Sequence, residues 1–262
     1  PGFKDIDLQG GGFEYDATVV IPCKNRVRTI GTAIKSALSQ VVKAPYKFNV
    51  IVVDDNSEDG SVDVIKSIVA EGHENLTYIA QDKTWHAIGG NWNVALHHEK
   101  CGRFAIQLDS DDTYFDENTV QKFIDAFHEQ NCAMVVGTYQ LTDFDGNMIP
   151  PGVIDHKEWT PDNGRNNALR IHGLGAPRGF YTPMLRTINF PTTKYGEDYA
   201  VGLRVSREYQ IGRIYDVVYN CRRWDDNSDA NCDIVTMNNN HLYKDRIRTW
   251  ELKARIQMNE GK

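Results

Sequence analysis

The sequence predicts an α/β fold in which a doubly wound, mostly parallel sheet is flanked by helices. In its first half, short apolar runs alternate with segments in which apolar residues recur at helical spacing. Polar clusters follow three of the apolar runs, at residues 22–25, 54–57 and 109–112. In doubly wound sheets, ligands bind outside the carboxyl ends of the strands. We therefore expect these clusters to surround one crevice.

Each element of the first half has its own pattern. The run of three glycines at 10–12 indicates that residues 1–16 form a flexible lead-in. Residues 18–21 form a β-branched apolar run, which is typical of a buried parallel strand. Helical spacing follows at 29–40 and again at 61–70. The other elements predicted here are strands at 48–53, 77–80 and 104–108 and a helix at 89–98.

The second half is less regular. Residues 150–178 are rich in Pro, Gly and Asn and predict a long loop, where substrate specificity often resides. The other predicted elements are a helix at 120–129, a strand at 133–141, a turn at 145–147, a helix at 199–208, a strand at 214–221 and a basic amphipathic helix at 242–258.

Composition and charge exclude several functions. The formal net charge of −7 argues against binding to nucleic acid, which requires a basic surface. No run approaches the roughly 18 apolar residues that cross a bilayer. The five cysteines, with no CxxC pair, suggest neither a zinc site nor a disulfide framework and indicate a cytoplasmic, reduced protein. The sequence also lacks the dinucleotide-binding, P-loop and GxSxG motifs.

The cluster Asp109-Ser110-Asp111-Asp112 indicates a cation site. Three carboxylates within four residues repel one another unless a cation lies between them, and oxygen-rich sites favour Mg²⁺ or Mn²⁺. Spacing alone favours a solvated turn or a helix cap. The apolar run that leads into the cluster shifts the balance towards a metal site.

Two acidic pairs each fit two interpretations. Asp54 and Asp55 end a strand, where one carboxylate can accept a hydrogen bond from a base or ribose while the other caps the next helix through an Asx turn. Glu197 and Asp198 start a helix, where they either complement its dipole or supply a general base for an acceptor hydroxyl.

Two adjacent arginines, Arg222 and Arg223, follow the last predicted strand. Their guanidinium groups suit a leaving diphosphate, for which arginine has the right geometry. The alternative is surface ion pairing with Asp225 and Asp226.

Taken in order, four motifs resemble those of glycosyltransferase family 2. They are VVIPCKN at 19–25, VVDDNS at 52–57, QLDSDD at 107–112 and GED at 196–198. The resemblance covers about residues 17–230 and implies the GT-A fold, with a Rossmann-like sheet and a smaller acceptor-side region. It implies inverting transfer of a sugar from a nucleotide diphosphate. The acidic segment is similar to domains of bacterial polysaccharide and chondroitin-type polymerases.

The resemblance assigns the nucleotide-sugar pocket residue by residue. Pro22 and Asn25 would line it, and Asp55 would contact the base, usually uracil. Arg222 and Arg223 occupy a segment where many members of the family carry basic residues, and they would stabilise the departing diphosphate.

The same resemblance assigns the metal. Asp109 and Asp111 match the two carboxylates of the family's DxD motif, which touch ribose and metal, with Ser110 between them and Asp112 in support. The implied cofactor is Mn²⁺ or Mg²⁺. Trp224 stands where many members carry a histidine that ligates the metal, so either His241 or the diphosphate and water would complete the coordination.

On the acceptor side, the resemblance implies that Asp198 is the general base and that Glu197 helps to position the acceptor. The chain would then divide into the lead-in 1–16, a nucleotide-sugar-binding half 17–112, an acceptor-binding half 113–240 and a terminal helix 241–262. The partners would be a nucleotide-sugar donor, with a UDP-sugar favoured, and a carbohydrate or lipid-linked acceptor. The terminal helix allows peripheral contact with the inner face of a membrane.

Two other functions stay open. A sugar-phosphate nucleotidyltransferase shares a similar fold but needs a Gly-rich, basic loop after the first strand, and residues 22–26 are not Gly-rich. A non-catalytic carbohydrate- or metal-binding module would not require the carboxylates that are present at all of the expected positions.

Overall fold

The structure, a computed structural model, describes residues 2–82, 86–158, 165–224 and 233–261. The strands are β1 (Ala17–Cys23), β2 (Phe48–Asp54), β3 (Leu76–Ala80), β4 (Phe104–Gln107), β5 (Thr113–Tyr114), β6 (Met134–Thr142), β7 (Met148–Ile154), β8 (Arg178–Tyr181) and β9 (Ile211–Arg222). The helices are α1 (Ile30–Leu38), α2 (Ser61–Val69), α3 (Ala87–His97), α4 (Thr119–Gln130), α5 (Thr182–Ile188), α6 (Glu197–Ser206) and α7 (Ile234–Glu260).

Within the described ranges, nine strands form one mixed sheet. Its order is β3-β2-β1-β4-β8-β6-β9-β5, and β7 pairs with β6. Strands β3, β2, β1 and β4 are parallel, whereas β8 runs antiparallel to both β4 and β6. The predicted α/β class is confirmed, and the alternation of strand and helix produced the parallel half of the sheet as expected.

Helices cover both faces of the sheet. On one face, Val19 and Ile21 of β1 pack in a core with residues of α1, α2 and α4. On the other face, Val20 packs with residues of α3, α5, α6 and α7. Every residue of β1 is buried because both of its faces are covered, which explains its continuous apolar run.

The structure differs from the prediction of a long loop at 150–178. Strand β7 occupies part of this region, residues 167–169 form a 3₁₀ turn, and β8 begins at Arg178. Residues 159–164 of the predicted loop lie outside the described residues. Strand β7 contains Pro150 and Pro151, which cannot donate to a ladder, and it pairs only with β6 among the described strands. The two prolines made this segment resemble a loop, but a strand that pairs on one side only can accommodate them.

Two short elements were also not predicted. The turn of helix considered after Asp112 is instead strand β5, whose two residues pair with Tyr219 and Asn220 of β9. Helix α5 begins at Thr182, directly after β8. Both elements are too short to show a periodic pattern, so tertiary contacts decide their conformation.

The lead-in is attached to the body of the protein, which corrects the expectation of a flexible segment. Leu8 is buried in the core, and the guanidinium of Arg103 donates to the carbonyl oxygens of Leu8 and Gly10. The N–H of Ile6 donates to Asn131 Oδ1 at 3.0 Å. The glycine run suggested flexibility, and the sequence did not reveal these contacts because the residues that make them, Arg103 and Asn131, are distant in sequence.

The terminal helix begins earlier than predicted, at Ile234. Asp233 caps it by accepting hydrogen bonds from the N–H groups of Val235 and Thr236, each at 2.9 Å. None of the helices in the described ranges combines the length and the apolar character that a membrane span requires. The four cysteines of the described ranges, Cys23, Cys101, Cys132 and Cys221, are free thiols, and Cys232 lies outside those ranges.

Candidate active site

The carboxyl ends of β1, β2 and β4 open on a first cavity of about 630 Å³. Parallel register holds these ends level, because Cys23 pairs with Asp54 and Val20 pairs with Gln107. Five residues selected from the sequence line this cavity: Pro22, Asp55, Asp109, Ser110 and Asp111. Three loops that are distant in sequence thus meet where the topology of the sheet predicts a ligand.

Asp55 provides an acceptor on the β2 side of this cavity. Its side chain is 5% exposed, and Lys24 Nζ lies 3.4 Å from Asp55 Oδ2. The other oxygen, Oδ1, receives no hydrogen bond from the described residues, and His86 Nδ1 is 3.9 Å away. A buried acceptor without a donor is unfavourable, so a ligand N–H or O–H at this position would be stabilised.

Asn25 is not among the residues that line the cavity. Its N–H donates to Ser57 Oγ at 2.8 Å, and its Oδ1 accepts from the N–H of Glu58 at 2.9 Å. Asp54 accepts from the N–H of Ser57, three residues on, at 3.0 Å, and it does not cap the next helix, whose N-cap is Gly60 without a side-chain hydrogen bond. Asn25 therefore fastens the β1 loop to the β2 loop, Asp54 holds the β2 loop itself, and Asp55 is the member of its pair that lines the cavity.

Two carboxylates of the acidic cluster are held by hydrogen bonds, and of these Asp112 is buried and Asp109 is half-buried. Gln107 Nε2 donates to both oxygens of Asp109, at 3.0 and 2.9 Å. The Oδ1 of Asp112 accepts from the N–H of Arg222 at 2.7 Å. Burial raises the pKa of Asp109, and burial together with the charges of Asp109 and Asp111 raises the pKa of Asp112 well above its usual value. A cation would relieve this crowding of like charges.

Asp111 is the carboxylate of the cluster best placed to reach a ligand. It lines the first cavity, and Arg26 Nε lies 3.7 Å from its Oδ2. The indole N–H of Trp224 approaches the same oxygen at 3.5 Å, so the residue that replaces the family's histidine still contacts the acidic cluster. Arg222 Nε donates to the carbonyl oxygen of Asp111 at 2.7 Å.

The donor set fits a cation that the protein holds only in part. Among the described residues, no three His, Cys, Asp or Glu side chains converge as a metal cage. Asp109 and Asp111, which are two residues apart, nevertheless line the same cavity. Mg²⁺ commonly combines one or two carboxylates with phosphate oxygens and water. These two residues would hold the metal, with the ligand completing its coordination.

A second cavity, of about 960 Å³, adjoins the first and shares Asp109 and Arg178 with it. Glu197 and Asp198 line this cavity from the first turn of α6, and Asp112 lines it from the acidic cluster. Burial, followed by the nearby charge of Asp198, raises the pKa of Glu197 to about 8. A group that is protonated at neutral pH is thus placed beside a candidate base.

Arg178 connects the two cavities, and the sequence did not identify it. Its guanidinium forms an ion pair with Asp198 and donates to the carbonyl oxygen of Gly175 at 2.6 Å. The backbone N–H of Arg178 donates to Gln107 Oε1 at 3.1 Å, and Gln107 Nε2 in turn donates to the carboxylate of Asp109. Burial alone would lower the pKa of Arg178, but the charges of Asp198 and Asp109 raise it. No sequence signal marks Arg178, which lies in a stretch rich in Pro and Gly.

The two adjacent arginines have different surroundings. Arg223 lines the second cavity, and its N–H donates to the carbonyl oxygen of Thr142 at 2.8 Å. Arg222 is buried, with its guanidinium 4.8 Å from the ring centroid of Phe144, and it braces the acidic cluster. The suggested partners Asp225 and Asp226 lie outside the described residues.

His241 lines the second cavity, which Asp109 and Asp112 of the acidic cluster also line. Its ring is 6.3 Å from that of His172, and neither histidine lines the first cavity. Among the described residues, His241 does not converge with two carboxylates of the cluster as a metal cage.

The chain matches a protein-family model. The model described as "Glycosyl transferase family 2" matches residues 18–189. A poly(ribitol-phosphate) beta-glucosyltransferase from Bacillus spizizenii is 25% identical over 213 residues, which are 79% of this chain and 32% of that enzyme. The UDP-Glc:alpha-D-GlcNAc-diphosphoundecaprenol beta-1,3-glucosyltransferase WfgD from Escherichia coli is 24% identical over 205 residues, 77% of this chain and 74% of that one. The chain thus spans about a third of the first relative and three quarters of the second.

Solved structures with a similar fold include Staphylococcus aureus TarS in complex with UDP-GlcNAc. Its TM-score is 0.66 at 20% identity, with 90% of this chain and 71% of that chain covered. The mannosyltransferase PcManGT from Pyrobaculum calidifontis, in complex with GDP-Man and Mn²⁺, has a TM-score of 0.60 at 18% identity and covers 85% and 64% of the two chains. At this identity the likeness shows the fold alone, and it confirms the expected GT-A fold.

Proposed function

The chain belongs to glycosyl transferase family 2, and from that membership we propose that it transfers a sugar from a nucleotide diphosphate sugar to an acceptor hydroxyl. The favoured donor is a UDP-sugar. The transfer inverts the configuration of the anomeric carbon and depends on Mn²⁺ or Mg²⁺. Involvement in bacterial glycoconjugate synthesis is supported by the two named relatives, whose names give poly(ribitol phosphate) and GlcNAc-diphosphoundecaprenol as their acceptors.

One observation carries the proposal: the two cavities meet at Asp109 and Arg178. The first cavity offers Asp55 and the carboxylates of the acidic cluster, which suit a nucleotide and a diphosphate. The second offers Asp198, which suits proton abstraction from a hydroxyl. A direct displacement requires donor and acceptor on opposite sides of the reacting carbon, and two cavities that share a wall allow this arrangement.

The residues then have the following roles. Asp55 accepts a hydrogen bond from the base, and Asp111 and Asp109 would hold the metal beside the diphosphate. Asp198 removes the proton of the acceptor hydroxyl, and Arg178 holds this carboxylate in position. When bound, the metal neutralises charge that develops on the departing diphosphate.

The test is release of UDP from UDP-sugars in the presence and absence of Mn²⁺. We expect slow, metal-dependent release without acceptor, because water can take the place of the hydroxyl. UDP binding with no turnover of any UDP-sugar, with or without a carbohydrate acceptor, would support a binding module instead. Release of pyrophosphate from UTP with a sugar phosphate would support a nucleotidyltransferase.

A further inference from the structure

Three basic side chains line the second cavity besides Arg178: Lys194, Arg223 and Lys244. They lie on separate elements, since Arg223 follows β9, Lys244 belongs to α7 and Lys194 precedes α6. Arg223 and Lys244 line only the second cavity, whereas Lys194 also lines the first. The chain as a whole carries a net charge of −7, so a basic composition does not explain this grouping.

Within the described ranges, none of these three cations forms an ion pair with a carboxylate. The carboxylates of the same cavity, by contrast, are engaged or buried. Asp198 binds Arg178, and Asp112 accepts the N–H of Arg222. Five carboxylates line the cavity as well, so its total charge is not positive, but these three cations have no carboxylate partner in the described part of the protein and are available to an anionic ligand.

Lys244 is held in a fixed position. Its Nζ donates to the carbonyl oxygen of His172 at 2.6 Å and lies 4.7 Å from the ring centroid of Tyr195. An ammonium group has three donors, so this contact leaves others for a ligand. The rings of His172 and His241 lie in the same cavity, 6.3 Å apart, and their nitrogens can donate further hydrogen bonds.

From this arrangement we infer that the acceptor carries a phosphate group near the hydroxyl that receives the sugar, and that Lys244 and Arg223 bind this phosphate. The inference rests on the proposed function, because it takes the second cavity to be the acceptor site. Lysine and arginine bind phosphate through charge-assisted hydrogen bonds. Lys194 lies where the cavities join and contributes charge to both.

The phosphate can belong to a polyol phosphate chain or to a sugar diphosphate on a lipid. Two probes separate these sources: a glycerol phosphate oligomer, and GlcNAc diphosphate with a short alkyl chain. Glycerol and alkyl GlcNAc are their neutral counterparts. Binding of each probe is measured by calorimetry with the protein saturated in UDP and Mn²⁺, so that the first cavity is already filled.

We expect at least one phosphate probe to bind more tightly than its neutral counterpart. Lys244→Met and Arg223→Gln should each weaken it by about tenfold, as expected for loss of one charge-assisted contact. Lys244→Arg should retain most of the affinity. Lys253→Met is the matched control, since Lys253 is an exposed lysine of the same helix that does not line the cavity.

Equal affinity for charged and neutral probes, binding of neither phosphate probe, or unchanged affinity in both Lys244→Met and Arg223→Gln would overturn the inference. The affinity for UDP serves as a separate reading of the first cavity. Absence of both UDP binding and UDP-sugar turnover in the unmodified protein would contradict the proposed function itself, which is a distinguishable result.

Discussion

Arg178 and Asp198 form an ion pair that joins strand β8 to the first turn of helix α6 at the wall between the two cavities. Through Gln107, the same arginine is connected to Asp109. A continuous series of contacts therefore links the carboxylate assigned to the donor with the carboxylate assigned as base. The position of one depends on the position of the other.

We expect Arg178→Lys to lower kcat by about 10²-fold, because a lysine cannot hold both Gly175 and Asp198 and a misplaced base is costly. Arg178→Met should lower it further, since the charge is lost as well. The measurement is steady-state turnover with a fixed UDP-sugar. Arg204→Lys is the control, because Arg204 belongs to helix α6, forms an ion pair with Glu208 and lines neither cavity. Equal kcat for Arg178→Lys and the unmodified protein would remove Arg178 from the proposed site.

Asp111→Asn and Asp198→Asn should each abolish transfer, for different reasons. Asp111→Asn removes a negative ligand of the metal, so the gain in UDP affinity on adding Mn²⁺ should largely disappear. Asp198→Asn removes no ligand of the metal, so most of this gain should remain. A thermal-shift titration of UDP with and without Mn²⁺ separates the two, since binding raises apparent stability. A folded Asp198→Asn protein with near-normal kcat would disprove the assignment of the base.

Glu197→Gln should change how stability depends on pH. The pKa of Glu197 is raised to about 8 in the fold, above the usual value of 4.5. Between these two values the native state holds a proton that the unfolded state has lost, so stability falls as pH rises through this window. Glutamine removes this dependence.

The measurement for Glu197→Gln is the free energy of unfolding from pH 5 to pH 8.5. Relative to the unmodified protein, the variant should become more stable towards pH 8.5, by an amount on the order of 1 kcal/mol for each pH unit of the window. Asp143→Asn is a useful control, because Asp143 is exposed and the pKa of its carboxyl is lowered by hydrogen bonds from Asn147. Parallel curves for Glu197→Gln and the unmodified protein would show that Glu197 is ionised in the fold.

Gly89→Ala should destabilise the protein by about 1–3 kcal/mol, as overpacking does. A Cβ at Gly89 would lie 2.0 Å from the carbonyl oxygen of Pro191, which is backbone and cannot move aside freely. Helix α3 and the segment before α6 must then separate, close to Glu197. Thermal denaturation measures the loss. The control is Gly12→Ala, where an added Cβ meets nothing within 4 Å; an equal loss in both variants would contradict the steric explanation.

Much of the lining of the first cavity could be predicted from sequence. Pro22, Asp55 and Asp109 each follow or end an apolar run, and parallel strands place the ends of such runs at one edge of the sheet. Asn25 shows the limit of this reasoning. Its position near the cavity followed from the pattern, but its hydrogen bonds to Ser57 and Glu58 depend on a second loop.

The lining of the second cavity could be predicted only in part. Glu197 and Asp198 were identified by their motif, whereas the strand that brings Arg178 to them was interpreted as loop. Strand β8 lies antiparallel between β4 and β6, so its formation depends on two neighbours that are distant in sequence. A four-residue strand has no periodicity of its own to reveal it.

The sequence by itself determined the α/β class, the alternation of strands and helices in the first half of the chain, and the family. Local apolar patterns and motif spacing are properties of contiguous residues, so they can be read without the tertiary structure. Only the tertiary structure decided that Arg178 pairs with Asp198 and that Lys244 and Arg223 line the same cavity. It also decided that Arg222 contacts the acidic cluster whereas Arg223 lines the second cavity. These contacts join residues brought together by folding, and the free energy of a buried charge depends on what surrounds it rather than on its neighbours in the chain.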